Sequence, residues 1–303
     1  MKIAGIAQKG TEFGLTRIRD LVQDKIDFVY LEGWQKSDWE AGRLDREAPG
    51  FDGILAQCIT HIPDEFRSKT VLFGLGSANR RIMDKPHIAQ RLKDIPLAGF
   101  WVNNNTIRKA VEKATDLNPK VMYRANDLVV PEDCPPKPKN RYILWYASEW
   151  NGCLKMYKDK SKAVIEALKA EKIKVFVAPH QKGWSCDRGH AIALGKTNFV
   201  ELMPTIQGMV RFGQVGDFGR STYDFIAQGK WVLGHDVDEP FMESVHPDDD
   251  TETIVRKIVE LVDKDPEEMR MDRWMYARKN LSPTGMQKTW TKREICQKVV
   301  DEV

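Results

Sequence analysis

The stretch Pro131-Glu132-Asp133-Cys134-Pro135-Pro136-Lys137-Pro138 decides how the rest of the chain is read. Three of its last four residues are prolines. Proline lacks an amide hydrogen and has a fixed φ, so neither a helix nor an inner strand runs through such a segment. On both sides of it, short apolar runs alternate with amphipathic stretches. Upstream, Lys2–Ala7, Asp27–Leu31, Gly53–Ile59, Thr70–Gly74 and Ala98–Val102 read as buried strands. Between them Leu15, Ile18, Leu21 and Val22 share one helical face. Asn103-Asn104-Asn105 then caps a helix whose apolar positions are Ile107, Ala110, Val111 and Ala114. Downstream, Arg141–Tyr146, Lys172–Val177, Asn198–Leu202 and Lys230–Gly234 read as strands. Helices are expected around Tyr157–Leu168, beginning at or running through Asp224–Gln228 with Gly229 ending it, and over Ile254–Val262. The last segment, Thr289–Val303, reads as a helix.

Strand–helix alternation with unbroken apolar strands predicts parallel sheets covered on both faces. The fold class expected is α/β, with two doubly wound, Rossmann-like domains facing a cleft. Their expected bounds are 1–135 and 139–285, with 286–303 as a helix returning to the first domain. A chain of 303 residues suits two domains of roughly 150 residues each. Ligands of such sheets sit beyond the carboxyl ends of the strands.

Composition narrows the class further. The chain is 42% hydrophobic and 30% charged, which excludes a mostly disordered polymer. No apolar run approaches the roughly 18 residues of a membrane helix. The five cysteines, Cys58, Cys134, Cys153, Cys186 and Cys296, are odd in number and form no C-x-x-C pair. A reducing, cytoplasmic setting is therefore expected, without a disulfide framework. A net charge of +3 permits a polyanionic partner without demanding one.

Chemistry concentrates in Phe212-Gly213-Gln214-Val215-Gly216-Asp217-Phe218-Gly219-Arg220-Ser221-Thr222-Tyr223-Asp224. Glycines 213, 216 and 219 permit a tight loop and close approach of a ligand to the backbone. Ser221 and Asp224 have the S-x-x-D spacing of a capping box at a helix start. The unpaired N–H groups of a first turn, at the positive end of the helix dipole, suit a phosphate, and Arg220 is placed to clamp a diphosphate. The same spacing also serves a plain capped helix after a glycine-rich turn. It is neither a Walker loop nor the G-x-G-x-x-G fingerprint.

The run Gly219–Leu233 resembles the donor-site helix of GT-B glycosyltransferases, with Asp224, Ala227, Gly229 and Val232 in the family's acidic, small, glycine and valine places. Asn103–Asn126 is similar to the stretch closing that family's N-terminal domain, and Tyr142–Val177 to the opening of its donor domain. The resemblance implies transfer of a sugar from a nucleoside diphosphate donor, such as a UDP-sugar, to a hydroxyl acceptor. It implies a donor site of Gly219, Arg220, Ser221 and Thr222 on the diphosphate and Asp224 on the ribose diol. Lys155 or Lys158 would serve as a basic phosphate ligand, Met203 with its neighbours would hold the base, and His180 would sit near the donor. The first glutamate of the retaining E-x7-E pattern falls on Gly216, a departure from the retaining members. Helix amides and Arg220 would stabilise the charge on the departing phosphate, so neither a metal nor another cofactor is expected.

An inverting transferase needs a general base in the first half. Thr60-His61-Ile62-Pro63-Asp64-Glu65 follows a strand end, and His61 and Asp64 lead the candidates, ahead of Glu65 and Glu12. Gln8–Gly14 is expected to touch the acceptor. His180, Cys186 and His190 have no defensible zinc spacing. Of nine tryptophans, Trp34, Trp39, Trp150 and Trp184 are read as loop aromatics able to stack on a sugar or base, and Trp101 and Trp145 as core. Arg80-Arg81 and Lys137/Lys139/Arg141 are basic clusters able to track phosphates. The leading acceptor is a 5-hydroxymethylpyrimidine in double-stranded DNA, as in phage DNA glycosyltransferases, which would have to be flipped from the stack. A glycan or small-molecule acceptor is the second reading. A non-catalytic nucleotide- or nucleic-acid-binding protein is the third.

Overall fold

The structure, a computed structural model, describes residues 2–8, 13–22, 26–75, 77–122, 128–146, 151–178, 191–193, 199–212, 220–246 and 248–282. The chain divides into two compact units, Met1–Asp127 with Lys279–Val303, and Leu128–Arg278.

The first unit holds a six-stranded sheet of β1 (Lys2–Ala7), β2 (Asp27–Leu31), β3 (Gly53–Gln57), β4 (Thr70–Gly74), β5 (Gly99–Val102) and β6 (Lys120–Val121) in the order β2-β1-β3-β4-β5-β6. Every pairing is parallel. Side chains alternate between faces along a strand, and both faces are buried. Ile3, Ala7, Leu55, Val71, Phe73 and Trp101 pack in one cluster. Their neighbours Ala4, Ile6, Ile54, Ala56 and Leu72 pack in another. That is why these strands read as unbroken apolar runs. Asn104 caps the helix Asn105–Thr115 by accepting from the Ile107 amide at 2.8 Å. Ile107 and Val111 face inward as expected, whereas Ala114 is exposed and Thr115 takes the inner place, donating to the Val111 carbonyl at 2.6 Å.

The second unit holds β7 (Tyr142–Tyr146), β8 (Lys174–Ala178), β9 (Ala191–Ala193), β10 (Gly208–Arg211), β11 (Trp231–His235) and β12 (Glu243–Val245) in the order β12-β11-β10-β7-β8-β9, again all parallel. The chain enters at the middle of the sheet, winds outward through β8 and β9, and returns beside β7 to wind the other way. The helix Thr251–Lys264 buries Ile254, Ile258, Leu261 and Val262 against this sheet's core. Asp250 caps it by accepting from the Thr253 amide at 2.7 Å.

One expectation is corrected here. Asn198–Leu202 is not a strand: Phe199–Thr205 is a 3-10 helix containing Pro204, and the strand between β7 and β11 is β10. Gly208 permits that placement, because it pairs with Trp231 and a Cβ there would lie 2.1 Å from the indole ring. A period-based reading favours the bulky run and passes over a strand that opens on glycine. The helix expected to begin at or run through Asp224–Gln228 spans Arg220–Ala227. Gly229 follows it at φ +69°, the left-handed turn that lets the chain leave a helix.

The proline-rich segment is bound along the second unit. The Trp274 indole donates to the Pro131 carbonyl at 3.1 Å, Arg278 to that of Glu132 at 3.0 Å, and Arg270 to that of Pro135. The expected final helix, 286–303, lies outside the described residues. Among the described residues no helix is long and apolar enough to cross a membrane.

Candidate functional site

Each sheet has one place where successive connections depart in opposite directions, and there the loops beyond the carboxyl ends diverge and leave a crevice. In the first sheet it lies between β1 and β3, and in the second between β7 and β10.

At the second crevice, β7 ends on Tyr146 and β10 on Arg211, and the helix Arg220–Ala227 begins there after the glycine-rich loop. Arg211 is 8% exposed. Its Nη1 donates to Ser221 Oγ at 3.0 Å, and its guanidinium carbon lies 4.6 Å from the Tyr146 ring centroid. One buried cation thereby joins two strand ends to a helix start. The next residue, Phe212, stacks on His235 at the end of β11 (3.9 Å, 17°) and meets Trp145 edge-on at 5.1 Å. Burial, reinforced by the charge of Lys160, pushes His235 down to about 4, so its imidazole is neutral at physiological pH.

The donor residues read from the sequence are placed as follows. Arg220 opens the helix; its backbone is described and its side chain is not. Ser221 sits one residue inside the helix, so the capping box with Asp224 does not form; the serine oxygen accepts from Arg211 instead. Thr222 is fully buried, and its Oγ1 has no hydrogen-bond partner among the described residues. From Ser221 to Ala227 every residue is buried except Asp224, which is half-exposed. Met203 is buried in the 3-10 helix Phe199–Thr205. Lys155 and Lys158 both fall on the helix Asn151–Ala170, neither on a loop, with only their backbone described. Gly219 and His180 lie outside the described residues, as do Glu12, Trp150 and Trp184. Among the described residues no group of three or more His, Cys, Asp or Glu is disposed to hold a metal ion.

At the first crevice, β3 ends on Gln57 and the chain turns through Cys58, whose φ is +61°. His61 follows, half-buried, and its Nε2 has no hydrogen-bond partner among the described residues. Burial first, then the positive charges of Lys36, Arg81 and Arg91, hold it below the usual histidine value. The imidazole is neutral at pH 7 and able to take a proton. Asp64 opens the helix Asp64–Arg67, is 55% exposed, and is ion-paired with Arg91 at 3.0 Å. Its carboxylate is engaged at the surface, while His61 nitrogen is shielded.

The tryptophans near this edge depart from expectation. Trp34 and Trp39 are 1% and 8% exposed and pack edge to face at 5.1 Å, with Phe66 on the far side of Trp39. They are core, as are Trp101 and Trp145, and none of the four offers a face for stacking on a ligand. Sequence reading missed Arg211, Tyr146 and His235. The one local signal for Arg211 is a cation closing an apolar run just before a glycine-rich loop.

No protein-family model matches the sequence, and no curated protein matches it. Solved structures do. The chain is similar to the lipopolysaccharide outer core galactosyltransferase WaaB in its apo form, with a TM-score of 0.65 and 11% identity over 100% of both chains. It is similar to WaaG, a glycosyltransferase involved in lipopolysaccharide biosynthesis, with a TM-score of 0.57 and 12% identity over 95% of this chain and 99% of that one. The pneumococcal O-GlcNAc transferase GtfA in complex with UDP and GlcNAc matches with a TM-score of 0.53 and 14% identity, over 82% of this chain and 57% of its own. At these identities the likeness shows the fold alone: each unit carries a parallel sheet with alternating helices, the α/β fold class that these GT-B glycosyltransferase structures share.

Proposed function

We propose that this chain transfers a sugar from a nucleoside diphosphate donor to a hydroxyl group of a glycan or small-molecule acceptor. One observation carries the reading. The helix Arg220–Ala227 starts at the switch point of the second sheet, anchored by buried Arg211, with Asp224 its half-exposed carboxylate. The full-length likeness to WaaB supports it, and the UDP bound in GtfA supports a UDP-sugar as donor.

In this reading the stretch 139–285 binds the donor and the stretch to residue 135 serves the acceptor. Gly219 and the amides of Arg220, Ser221 and Thr222 take the diphosphate at the positive end of the helix, with Arg220 and Lys155 as counter-charges. Asp224 accepts from the ribose diol. The segment around Met203 holds the base, and His180 flanks the donor. As the bond from the anomeric carbon to the diphosphate oxygen breaks, negative charge grows on the leaving group. Donors already fixed in place stabilise it more in the transition state than in the ground state. The acceptor oxygen bonds to the anomeric carbon, and its proton passes to His61.

A glycan acceptor is preferred to hydroxymethylated DNA because the two full-length relatives cited act, by their descriptions, in lipopolysaccharide assembly. The test is incubation of the chain with a panel of UDP-sugars and neutral or charged glycosides, reading released UDP. Release with at least one donor is expected. Absence of both UDP release and nucleotide binding across the panel overturns the reading.

A further inference from the structure

Four described residues other than glycine have a left-handed backbone: Cys58, Asp116, Lys172 and Asp236. Asp116, Lys172 and Asp236 are exposed, each at a turn between elements. Cys58 differs. It is 3% exposed and follows the carboxyl end of β3, beside the crevice between β1 and β3. At φ +61° a side chain crowds its own backbone, whereas glycine adopts that conformation freely. Two bonds hold Cys58 there. Its amide donates to the Phe73 carbonyl at 3.2 Å, and its thiol donates to the Leu75 carbonyl at 3.5 Å. Phe73 lies in β4 and Leu75 directly follows that strand, so the turn is locked to the neighbouring strand by backbone and side chain together.

The turn also reverses the alternation of the strand. Ile54 and Ala56 pack in one cluster with Ala4, Ile6 and Leu72, and Leu55 packs in the other with Ile3, Val71 and Phe73. Continued in step, Cys58 would join Ile54 and Ala56. It joins Leu55 instead, and Ile59 goes to the cluster of Ile54 and Ala56, where Ile62 follows it. A one-residue change of step exchanges the faces to which all later side chains point. Ile59 and Ile62 are 1% and 0% exposed, so they anchor both flanks of Thr60-His61. Between them the His61 Nε2 is buried and has no hydrogen-bond partner among the described residues. No bond of that nitrogen holds the ring, so its aim depends on the backbone that carries it. Packing alone accounts for a buried cysteine. It does not account for a left-handed one, and a costly backbone kept by its surroundings is the kind of outlier that points to function.

We propose that Cys58 is a positioning residue for His61: its left-handed turn, locked to β4 through amide and thiol, sets where the imidazole stands for the acceptor proton. This rests on the sugar-transfer reading, in which His61 takes that proton, and adds the residue that aims it.

The test follows the His61 ring resonances of the full chain by NMR, assigned by their loss in His61→Gln, beside kcat and donor KM for UDP release and the thermal midpoint. Cys58→Gly keeps the left-handed backbone and loses the thiol, Cys58→Ala loses only the sulfur, and Cys58→Ser keeps a donor for the Leu75 carbonyl. In Cys58→Gly the His61 resonances are expected to shift while those of the other histidines stay. Its kcat should fall about tenfold to 10²-fold with donor KM unchanged, since a misplacement of about 1 Å has effects of that order. Cys58→Ser should return both readouts most of the way to the parent. The proposal is overturned if Cys58→Gly changes the thermal midpoint and leaves the His61 resonances and kcat as in the parent, because the cysteine then only packs. It is also overturned if Cys58→Ser disturbs His61 as much as Cys58→Gly does. Should Cys58→Gly not fold, Cys58→Ala against Cys58→Ser decides in the same way: unmoved His61 resonances in Cys58→Ala overturn the proposal. The resonances need no turnover, so the two levels part. Full turnover by His61→Gln sinks the base assignment, and no UDP release from any donor sinks the sugar-transfer reading, while the ring signals still decide whether Cys58 places the imidazole.

Discussion

The two carboxyl edges are built from the same architecture and handle positive charge in opposite ways. At the second sheet the cation is internal: Arg211 is buried, hydrogen-bonded to Ser221 and set against Tyr146. At the first sheet the cations are external: Lys36 and Arg81 are exposed and without ion partners among the described residues, and the His61 imidazole is half-buried and neutral. Burying an ion and satisfying its hydrogen bonds spends the group on rigidity, whereas leaving it in water keeps it for exchange with a ligand. The second sheet's edge thus holds a helix start in place through a buried cation, while the first leaves its cations to solvent.

If the first edge does chemistry and the second holds geometry, replacing the key residue of each has different consequences. His61→Ala is expected to lower kcat for UDP release by about 10²–10⁴-fold, the usual contribution of a positioned proton acceptor. Its thermal midpoint should stay close to that of the parent. A loss of only a few fold would remove His61 from the base role. Arg211→Ala should do the reverse, costing about 1–3 kcal/mol in denaturant unfolding, because Ser221 and the strand end lose a charged partner. Donor KM should rise with it, and Arg211→Lys should restore stability better than binding. An Arg211→Ala chain as stable as the parent would refute the anchoring role.

Gly208→Ala tests whether the second edge depends on close packing beneath it. The added methyl meets the Trp231 ring, and an overpacked core loses about 1–3 kcal/mol. In a Trp231→Leu background the same change should cost less, read as a double-mutant cycle.

The smallest effect separates the two histidines by pH. His235 is depressed from 6.5 to about 4 in the folded chain, so the unfolded chain takes up its proton first as pH falls. The stability His235 contributes as a neutral group is therefore lost progressively from about pH 6.5 down to about 4. His235→Phe, which can keep the stack on Phe212, should flatten that part of the stability profile. His61, also depressed, predicts that turnover persists below the ordinary histidine value and falls only as the imidazole becomes protonated. An acid limb placed above that value would contradict the neutral base.

Much of the fold was legible because its signals are local. Eight strand cores, the Asn104 cap and the Gly229 exit stand where the apolar runs and turn residues put them. The misreadings share a cause. Phe199–Thr205 carries the bulky residues of a strand, yet the place beside β7 went to a segment opening on Gly208, since the Trp231 ring occupies the space of a side chain. Trp34 and Trp39 follow a strand, as ligand-stacking aromatics do, but they pack on each other and on Phe66. Ser221 has the spacing of a cap, yet it lies one residue inside the helix and its hydroxyl accepts from Arg211.

The chain by itself determined that there are two parallel α/β halves, because strands buried on both faces must be apolar at every position and their helices must repeat at 3.6 residues. It marked the glycine-rich loop before Arg220, and it marked His61 as a strand-end histidine. Only the tertiary structure decided which groups meet: Arg211 with Tyr146 and Ser221, and Arg91 with Asp64. Strand order is set by pairing between distant segments, and no local period encodes it. The residues brought to one edge are therefore neighbours in space with nothing in the chain to announce it.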